Sequence, residues 1–265
     1  MCPQSSPFTS SPSLIDSESS DVDVGAIGPK DRGGGVTVDG DVSGQVGVGD
    51  TVTQIQSGPP PAPDPSPVTV LFWAANPTDT PPLRLDEEIR TIDARLRATE
   101  ASNRIVLQQQ WALRIDDLSE GLLRHRPAVV HFSGHGSPAG EIVLMSPQGK
   151  SETVPSDALA GLFKVVMGMK RSNLKCVVFN ACYSAQQASA VAKYVPCVVG
   201  TAKAIGDDAA IRFAGAFYRA MGYGESVRTA FELGRNEIAL HGLGEELTPQ
   251  LRVQHGVDAE DVTIV

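Results

Sequence analysis

The sequence has few cysteines, no cluster of basic residues and no long apolar run, and each absence excludes a class of protein. Its four cysteines form no CxxC pair, which is typical of free thiols in a reducing compartment. A net charge of -9 without a Lys/Arg cluster disfavours nucleic acid as a partner. No apolar run reaches the roughly 18 residues of a membrane-spanning helix, and residues 1–20 lack a signal-peptide pattern. We therefore expect a cytoplasmic protein without a nucleic-acid or membrane partner.

The first 66 residues have almost no aromatic side chains and cannot bury much of a core. They hold 10 Gly, 9 Pro and 11 Ser, and Phe8 is their only aromatic residue. This composition predicts a disordered, low-complexity tail. Within it, residues 33–56 repeat Val among Gly and Asp, which predicts either short strands or a flexible linker that becomes ordered only against a partner. The proline-rich residues 59–67 mark the boundary of a globular domain at 67–265.

After residue 67, short apolar runs alternate with amphipathic segments. The predicted strands cover 68–74, 104–109, 128–132, 141–145, 151–154, 174–180 and 196–201. The predicted helices cover 84–99, 115–123, 156–166, 184–194, 207–221 and 225–240, and Ser156 is expected to cap the third of them. This alternation predicts an α/β fold with a mostly parallel central sheet and helices on both faces.

Two reactive side chains follow predicted strands directly. His135 comes after the third strand within a Gly-His-Gly sequence, and Cys182 comes after the strand that ends at Asn180. In open parallel sheets, functional groups collect beyond the carboxyl ends of the strands. If the two strands are neighbours, a thiol and an imidazole at their ends form a nucleophile and acid/base pair. The N–H groups of Gly136 and Cys182 could then bind an oxyanion.

The sequence gives weaker support to other kinds of site at these positions. Cys176 and Cys197 lie within apolar runs and are expected to be core thiols. His131 and His135 have a ligand-like spacing, but no acidic residue or cysteine lies nearby in sequence, so neither a metal nor a cofactor is predicted. Ser133 does not lie in a GxSxG elbow, which disfavours a serine hydrolase.

Residues 127–136 (PAVVHFSGHG) and 178–184 (VFNACYS) resemble the CHAT domain, a bacterial branch of the caspase-like cysteine peptidases, and the likeness extends over 199–207 and 213–218. The resemblance implies a caspase-like three-layer sandwich. It also implies that His135 is the catalytic histidine, that Cys182 is the nucleophile, and that Gly136 and the Cys182 amide form the oxyanion hole.

The function that this resemblance implies is hydrolysis of peptide bonds in protein targets by a Cys-His dyad. CHAT domains commonly serve as effectors of bacterial conflict and antiviral systems, so the resemblance also implies an activating partner or sensor protein, for which residues 33–56 are the predicted docking segment. Asp207 or Asp208 is expected either to favour a basic residue before the cut or, in the case of Asp207, to cap the following helix. The alternative function is a catalytically silent interaction module of the same fold.

Overall fold

The computed structural model describes residues 67–265. The predicted tail at 1–66 and its Val/Gly/Asp segment at 33–56 lie outside the described residues. The strands are β1 (Val68–Ala75), β2 (Ile105–Gln110), β3 (Val129–Gly136), β4 (Ile142–Met145), β5 (Ser151–Val154), β6 (Cys176–Asn180), β7 (Cys197–Thr201) and β8 (Pro249–Val253). The helices are α1 (Leu85–Arg97), α2 (Ile115–His125), α3 (Ser156–Met167), α4 (Ala185–Val191), α5 (Asp207–Gly222) and α6 (Val227–Leu240).

The main sheet has the strand order β2-β1-β3-β6-β7-β8. All its pairs are parallel except β7 with β8, which is antiparallel. The hairpin of β4 and β5 joins the sheet through the last residues of β3, where His135 pairs with Val143 and Gly136 with Ile142. The predicted, mostly parallel sheet is therefore confirmed, and β3 and β6 lie side by side at its centre.

Alternate residues of the central strands point to opposite faces, and each face is covered by helices. One apolar cluster contains Val129 of β3 together with residues of α1, α5 and α6. The other contains Val130 with residues of α2, α3 and α4. The fold is thus a three-layer sandwich, as the sequence predicts. Residues 131, 133 and 135 continue the alternation of Val129, so they belong to the face that α1 and α5 cover.

Besides shifts of one to three residues at the ends of several elements, the structure differs from the prediction in three places. β3 continues through Gly136, because its last two residues gain a new partner in β4. The edge strand β8 was not predicted, since its five residues mix Pro, Gln and Arg with two apolar side chains. The prediction of Ser156 as a cap is wrong: Pro155 is the N-cap residue and Ser156 is the first residue of α3. Among the helices of residues 67–265, none is both long and apolar enough to cross a membrane.

Candidate active site

The ends of β3 and β6 place His135 and Cys182 at one cleft. The two strands pair in parallel up to Ser133 and Asn180, and the two reactive side chains each follow two residues later. Both line the same cleft, whose wall also includes Leu83, Ile205 and Ile211. β3 and β6 are neighbours, as the prediction of a nucleophile and acid/base pair requires.

Gly136 brings the two strand ends into direct backbone contact. A Cβ atom at this position would lie 2.9 Å from the carbonyl carbon of Cys182 and 3.2 Å from its nitrogen, and closer still to its carbonyl oxygen. Real Cβ atoms do not approach other atoms this closely, so no other residue type fits without moving the Cys182 turn. The glycine of the Gly-His-Gly sequence therefore sets the distance between the histidine strand and the cysteine turn.

The turn that carries Cys182 is fixed by its neighbours. Cys182 is half-buried, and its Sγ lies 3.9 Å from the carbonyl oxygen of Ile205. Tyr183 follows it with a left-handed φ of 57°, which is uncommon for a bulky residue, and its N–H donates to the Lys203 carbonyl at 3.3 Å. The buried Ser184 hydroxyl then donates to the carbonyl of Phe179 at 3.0 Å. The thiol is thus held on a sharp turn between a strand and a helix.

The hydrogen bond of His135 defines which of its ring nitrogens can act as a base. Its Nε2 lies 2.9 Å from the carbonyl oxygen of Pro81, in the loop between β1 and α1. A carbonyl oxygen can only accept, so Nε2 carries the hydrogen of this bond. In the neutral ring, Nδ1 is then unprotonated and available to take a proton.

The Pro81 loop is anchored to the β4–β5 hairpin. The N–H of Thr78 donates to the Gly149 carbonyl at 2.9 Å. The N–H of Ser151 donates to Oδ1 of Asp79 at 2.9 Å and its hydroxyl to Oδ2 at 3.1 Å. Desolvation acts to raise the pKa of Asp79, but hydrogen bonds, above all from Ser151, outweigh it and lower the pKa below its ordinary value of 3.8. Asp79 is therefore ionised at neutral pH, and the hairpin binds the loop whose Pro81 carbonyl contacts His135.

Neither of the two amides expected to bind an oxyanion has a hydrogen-bond acceptor within residues 67–265. The Ser137 N–H donates to the Glu141 carbonyl, and antiparallel pairs alternate, so the Gly136–Ile142 pair is not hydrogen-bonded. The Gly136 N–H therefore points away from β4. Within residues 67–265, the Cys182 N–H has no hydrogen-bond acceptor. Both amides are free to donate to a ligand.

Asp207 and Asp208 have different surroundings. Asp207 lines the cleft, and its Oδ2 accepts a hydrogen bond from the Arg84 N–H at 3.2 Å. Asp208 is exposed and pairs with the Arg84 guanidinium at 2.7 Å. The hydrogen bonds from Arg84 to Glu87 and then Asp208 raise its pKa, so it stays charged. The expectation that Asp207 caps its own helix is wrong, because Gly206 is the N-cap residue of α5 and no side chain caps that end.

A buried polar cluster beneath the cleft was missed by the sequence reasoning. Glu88 Oε1 accepts from His131 Nε2 at 2.8 Å and from Asn180 Nδ2 at 2.5 Å, and Oε2 accepts from the Ser133 hydroxyl. The other ring nitrogen of His131, Nδ1, lies 3.1 Å from the Tyr218 hydroxyl. All five side chains are buried. His131 is thus a core residue with two polar partners.

One signal in the sequence does point to Glu88. The predicted stripe of α1 consists of Leu85, Ile89, Ile92 and Leu96. Position 88 is three residues after Leu85 and four before Ile92, so it lies on the same buried side of the helix. A carboxylate on an apolar stripe must find buried donors, and β3 and β6 supply them.

The remaining predicted positions lie away from the cleft. Cys176 and Cys197 are fully buried core residues of β6 and β7, as expected, and pair with each other in the sheet register. Burial raises the pKa of Cys176 well above its ordinary value and that of Cys197 to about 11. Among the described residues, no group of three or more His, Cys, Asp or Glu side chains could hold a metal ion.

A family model of the CHAT domain matches residues 41–239, well over half of the sequence. The chain belongs to the CHAT domain family. The match to the CHAT model begins before residue 67, where the proline-rich segment predicts the domain boundary. A search of curated proteins finds no match.

Solved structures similar to this CHAT chain include three cysteine proteases. A secreted C11 cysteine protease from Bacteroides thetaiotaomicron, in complex with an irreversible peptide inhibitor, is 11% identical, with a TM-score of 0.47 over 67% of this chain and 59% of that one. Caspase-1 from Spodoptera frugiperda is 10% identical, with a TM-score of 0.49 over 71% and 86%. The Arg-specific cysteine proteinase gingipain R is 9% identical, with a TM-score of 0.49 over 74% and 47%. The chain therefore spans less than two thirds of the first and third of these proteins.

Proposed function

We propose that this CHAT domain is a cysteine endopeptidase that cuts protein targets with a Cys182–His135 dyad. The observation that carries the proposal is that one cleft, at the ends of two neighbouring parallel strands, holds both side chains. The Pro81 carbonyl leaves the His135 Nδ1 available as a base. A nucleophile beside an oriented base is the arrangement that covalent catalysis requires.

The geometry supports acyl transfer in two halves. The Cys182 thiol gives its proton to His135 Nδ1, and the thiolate attacks the peptide carbonyl carbon, forming a C–S bond. The oxyanion accepts hydrogen bonds from the free N–H groups of Gly136 and Cys182. His135 then protonates the leaving amine as the C–N bond breaks. A water molecule gives a proton to His135 and attacks the thioester carbon. The C–S bond then breaks, the carboxylic acid leaves, and His135 returns its proton to the Cys182 thiolate.

We further propose that a basic residue is preferred before the scissile bond. Arg84 also lines the cleft, but its charge is balanced by Glu87 and Asp208. Asp207 accepts one backbone hydrogen bond and has no cationic partner among the described residues. A basic side chain entering the cleft would therefore find Asp207 as its counter-charge. Asp208 is already engaged by Arg84 and contributes less.

On the family resemblance, we also propose that the peptidase is an effector of a bacterial defence system and that a partner or sensor protein activates it. Expression in a bacterial host tests this role. With the activator present, the wild-type chain should slow growth and Cys182→Ala should not. Equal growth of the two strains under every activating condition would exclude an effector that acts by cleavage.

The experiment that tests the peptidase is a comparison of the full chain with Cys182→Ala and His135→Ala on a mixture of protein substrates. New N-termini are identified by mass spectrometry, and alkylation of Cys182 by iodoacetamide is followed against pH. Cleavage after basic residues, lost in both variants and redirected in Asp207→Asn, is the expected result. Cys182 alkylation should remain rapid below about pH 7 only while His135 is present, because an ordinary thiol is mostly protonated there.

The alternative of a silent interaction module has a different outcome. In that case, Cys182 is alkylated with the same pH dependence in the wild-type chain and in His135→Ala, and no new N-termini appear. Cleavage that persists in Cys182→Ala would show that a contaminating peptidase, and not this cleft, made the cuts.

A further inference from the structure

Glu88 is a buried carboxylate that the proposed reaction does not use. Only 3% of its surface is exposed, although it lies within a helix that has an exposed side. Glutamate is rarely this buried unless it is paired, because burying an unpaired charge is costly. The side chain lies just below the cleft, whose wall it helps to form.

The hydrogen bonds around Glu88 run in one direction. Burial raises the pKa of Tyr218 well above its ordinary value, so its hydroxyl stays protonated and can donate to His131 Nδ1. His131 then carries its hydrogen on Nε2 and donates to Glu88. Ser133 and Asn180 donate to the same carboxylate. Each of the side-chain donors of the cluster has an acceptor, and the carboxylate is the final one.

Two of the three donors to Glu88 lie where the pairing between β3 and β6 ends. Ser133 of β3 and Asn180 of β6 are the last directly paired residues of these strands. Each is two residues before a reactive side chain, His135 or Cys182. One carboxylate therefore binds both strands at the Ser133–Asn180 pair, after which backbone pairing between β3 and β6 stops.

We propose that Glu88 is a positioning residue that holds the ends of β3 and β6 at the spacing at which His135 and Cys182 act on one another. The inference rests on the proposed function of that dyad. Glu88 does not touch the reacting atoms and acts through Ser133 and Asn180. Replacing its carboxylate by an amide places an NH₂ group among donors that need an acceptor. The side chain can then no longer accept hydrogen bonds from both Ser133 and Asn180.

The spacing can be measured without any catalysis. In a His135→Cys background, dibromobimane links the introduced thiol to that of Cys182 when the two are close, and peptide mapping identifies the link. We expect Glu88→Gln to lower the yield of this link at least tenfold among folded molecules, and Glu88→Asp, which keeps the charge, to restore part of it. An unchanged yield in Glu88→Gln would overturn the proposal.

The second readout uses the native histidine. In Glu88→Gln, alkylation of Cys182 by iodoacetamide below pH 7 should fall about tenfold, toward the profile of His135→Ala. If the wild-type profile does not depend on His135 while the link yield still depends on Glu88, the peptidase proposal fails and the positioning of the strand ends stands. If the wild-type profile depends on His135 but neither readout responds to Glu88, the positioning proposal alone fails.

Two variants separate positioning from general destabilisation. Ser226 is buried at the N-cap of α6, where its hydroxyl accepts from the Thr229 N–H at 3.0 Å. Ser226→Ala should lower the unfolding temperature and leave the link yield unchanged. If Glu88→Gln does not fold, Ser133→Ala takes its place, since it leaves the carboxylate two of its three donors. A severalfold lower link yield in Ser133→Ala would support the proposal, and an unchanged yield would contradict it.

Discussion

Because Gly136 has no side chain, two backbone segments can come into contact in this cleft. Gly136 and Cys182 touch through main-chain atoms, and a Cβ at position 136 would overlap the Cys182 carbonyl group. We expect Gly136→Ala to destabilise the fold by about 1–3 kcal/mol, as overpacking of a tight site does. Because the Cys182 turn must shift, cleavage and low-pH alkylation of Cys182 should fall by much more than the loss of folded protein explains.

The matched control for this substitution is Gly161→Ala. Gly161 is exposed within α3, and a Cβ there would meet nothing within 4 Å. Adding a methyl group at an exposed helix position should stabilise the chain by about 0.5–1 kcal/mol. Urea unfolding of both variants checks the two signs. Equal effects of the two substitutions would show that the 136–182 contact is not tight.

At the same scale, the sequence predicts the positions of His135 and Cys182 better than the contacts around them. His135 and Gly136 are the last residues of β3 and Cys182 follows β6, all in recognisable motifs, so the local pattern is enough to place them at strand ends. The role of Glu88 depends on which strand residues α1 covers, and this is a property of the tertiary fold. The bond between Asn180 and Glu88 also depends on the tertiary fold, because the two residues lie far apart in the sequence. From the local pattern alone, Asn180 is only the end of an apolar run.

At the scale of elements, the hairpin of β4 and β5 supports the loop between β1 and α1, which lies far from it in the sequence. Its turn binds Thr78 and Asp79, and the same loop presents the Pro81 carbonyl to His135. Asp79→Ala should free this loop. We expect a severalfold fall in cleavage and in low-pH alkylation of Cys182, with little change in the unfolding midpoint, because the contact is exposed.

The control for the hairpin contact is another exposed carboxylate. Asp93 pairs with Arg97 on α1 at 2.7 Å and lies outside the loop. Asp93→Ala should therefore leave cleavage and alkylation of Cys182 unchanged. A loss of the same size in both variants would mean that the Asp79 contact has no particular part in orienting His135.

The elements themselves were predictable where their pattern was strong. Buried parallel strands such as β1 and β6 are continuous apolar runs, and α1 has a clear apolar stripe. The edge strand β8 carries no such pattern, because its residues are only partly buried beyond Pro249. Its pairing with β7 follows from the open edge of the sheet, which the local sequence does not encode.

At the scale of the whole molecule, the core contains groups that stay protonated at alkaline pH in the folded chain but lose their protons there in the unfolded chain. Burial raises the pKa of Cys197 from its ordinary 9.0 to about 11, and it also raises the pKa values of Cys176 and Tyr218. Above pH 9 the unfolded chain releases these protons first, so stability falls as pH rises. We expect urea midpoints to be level up to about pH 8.5 and to fall between pH 9 and 11.

Substitution of one thiol checks the origin of this slope. Cys197→Ala should have a lower midpoint at neutral pH, because it leaves a small cavity, but a shallower decline above pH 9. The same decline in the variant and in the wild-type chain would assign the alkaline sensitivity to other groups.

The position of β6 between β3 and β7 also bears on how the protein is made. The strand that carries His135 is followed by a hairpin and a helix before β6, which leads into Cys182, is synthesised. Pairing between segments so distant in sequence forms slowly, because a long loop must close before the contacts form. Glu88, His135 and Cys182 leave the ribosome in that order. The growing chain therefore cannot bring His135 and Cys182 together until β6 inserts into the sheet, so the order of translation delays the formation of the candidate site.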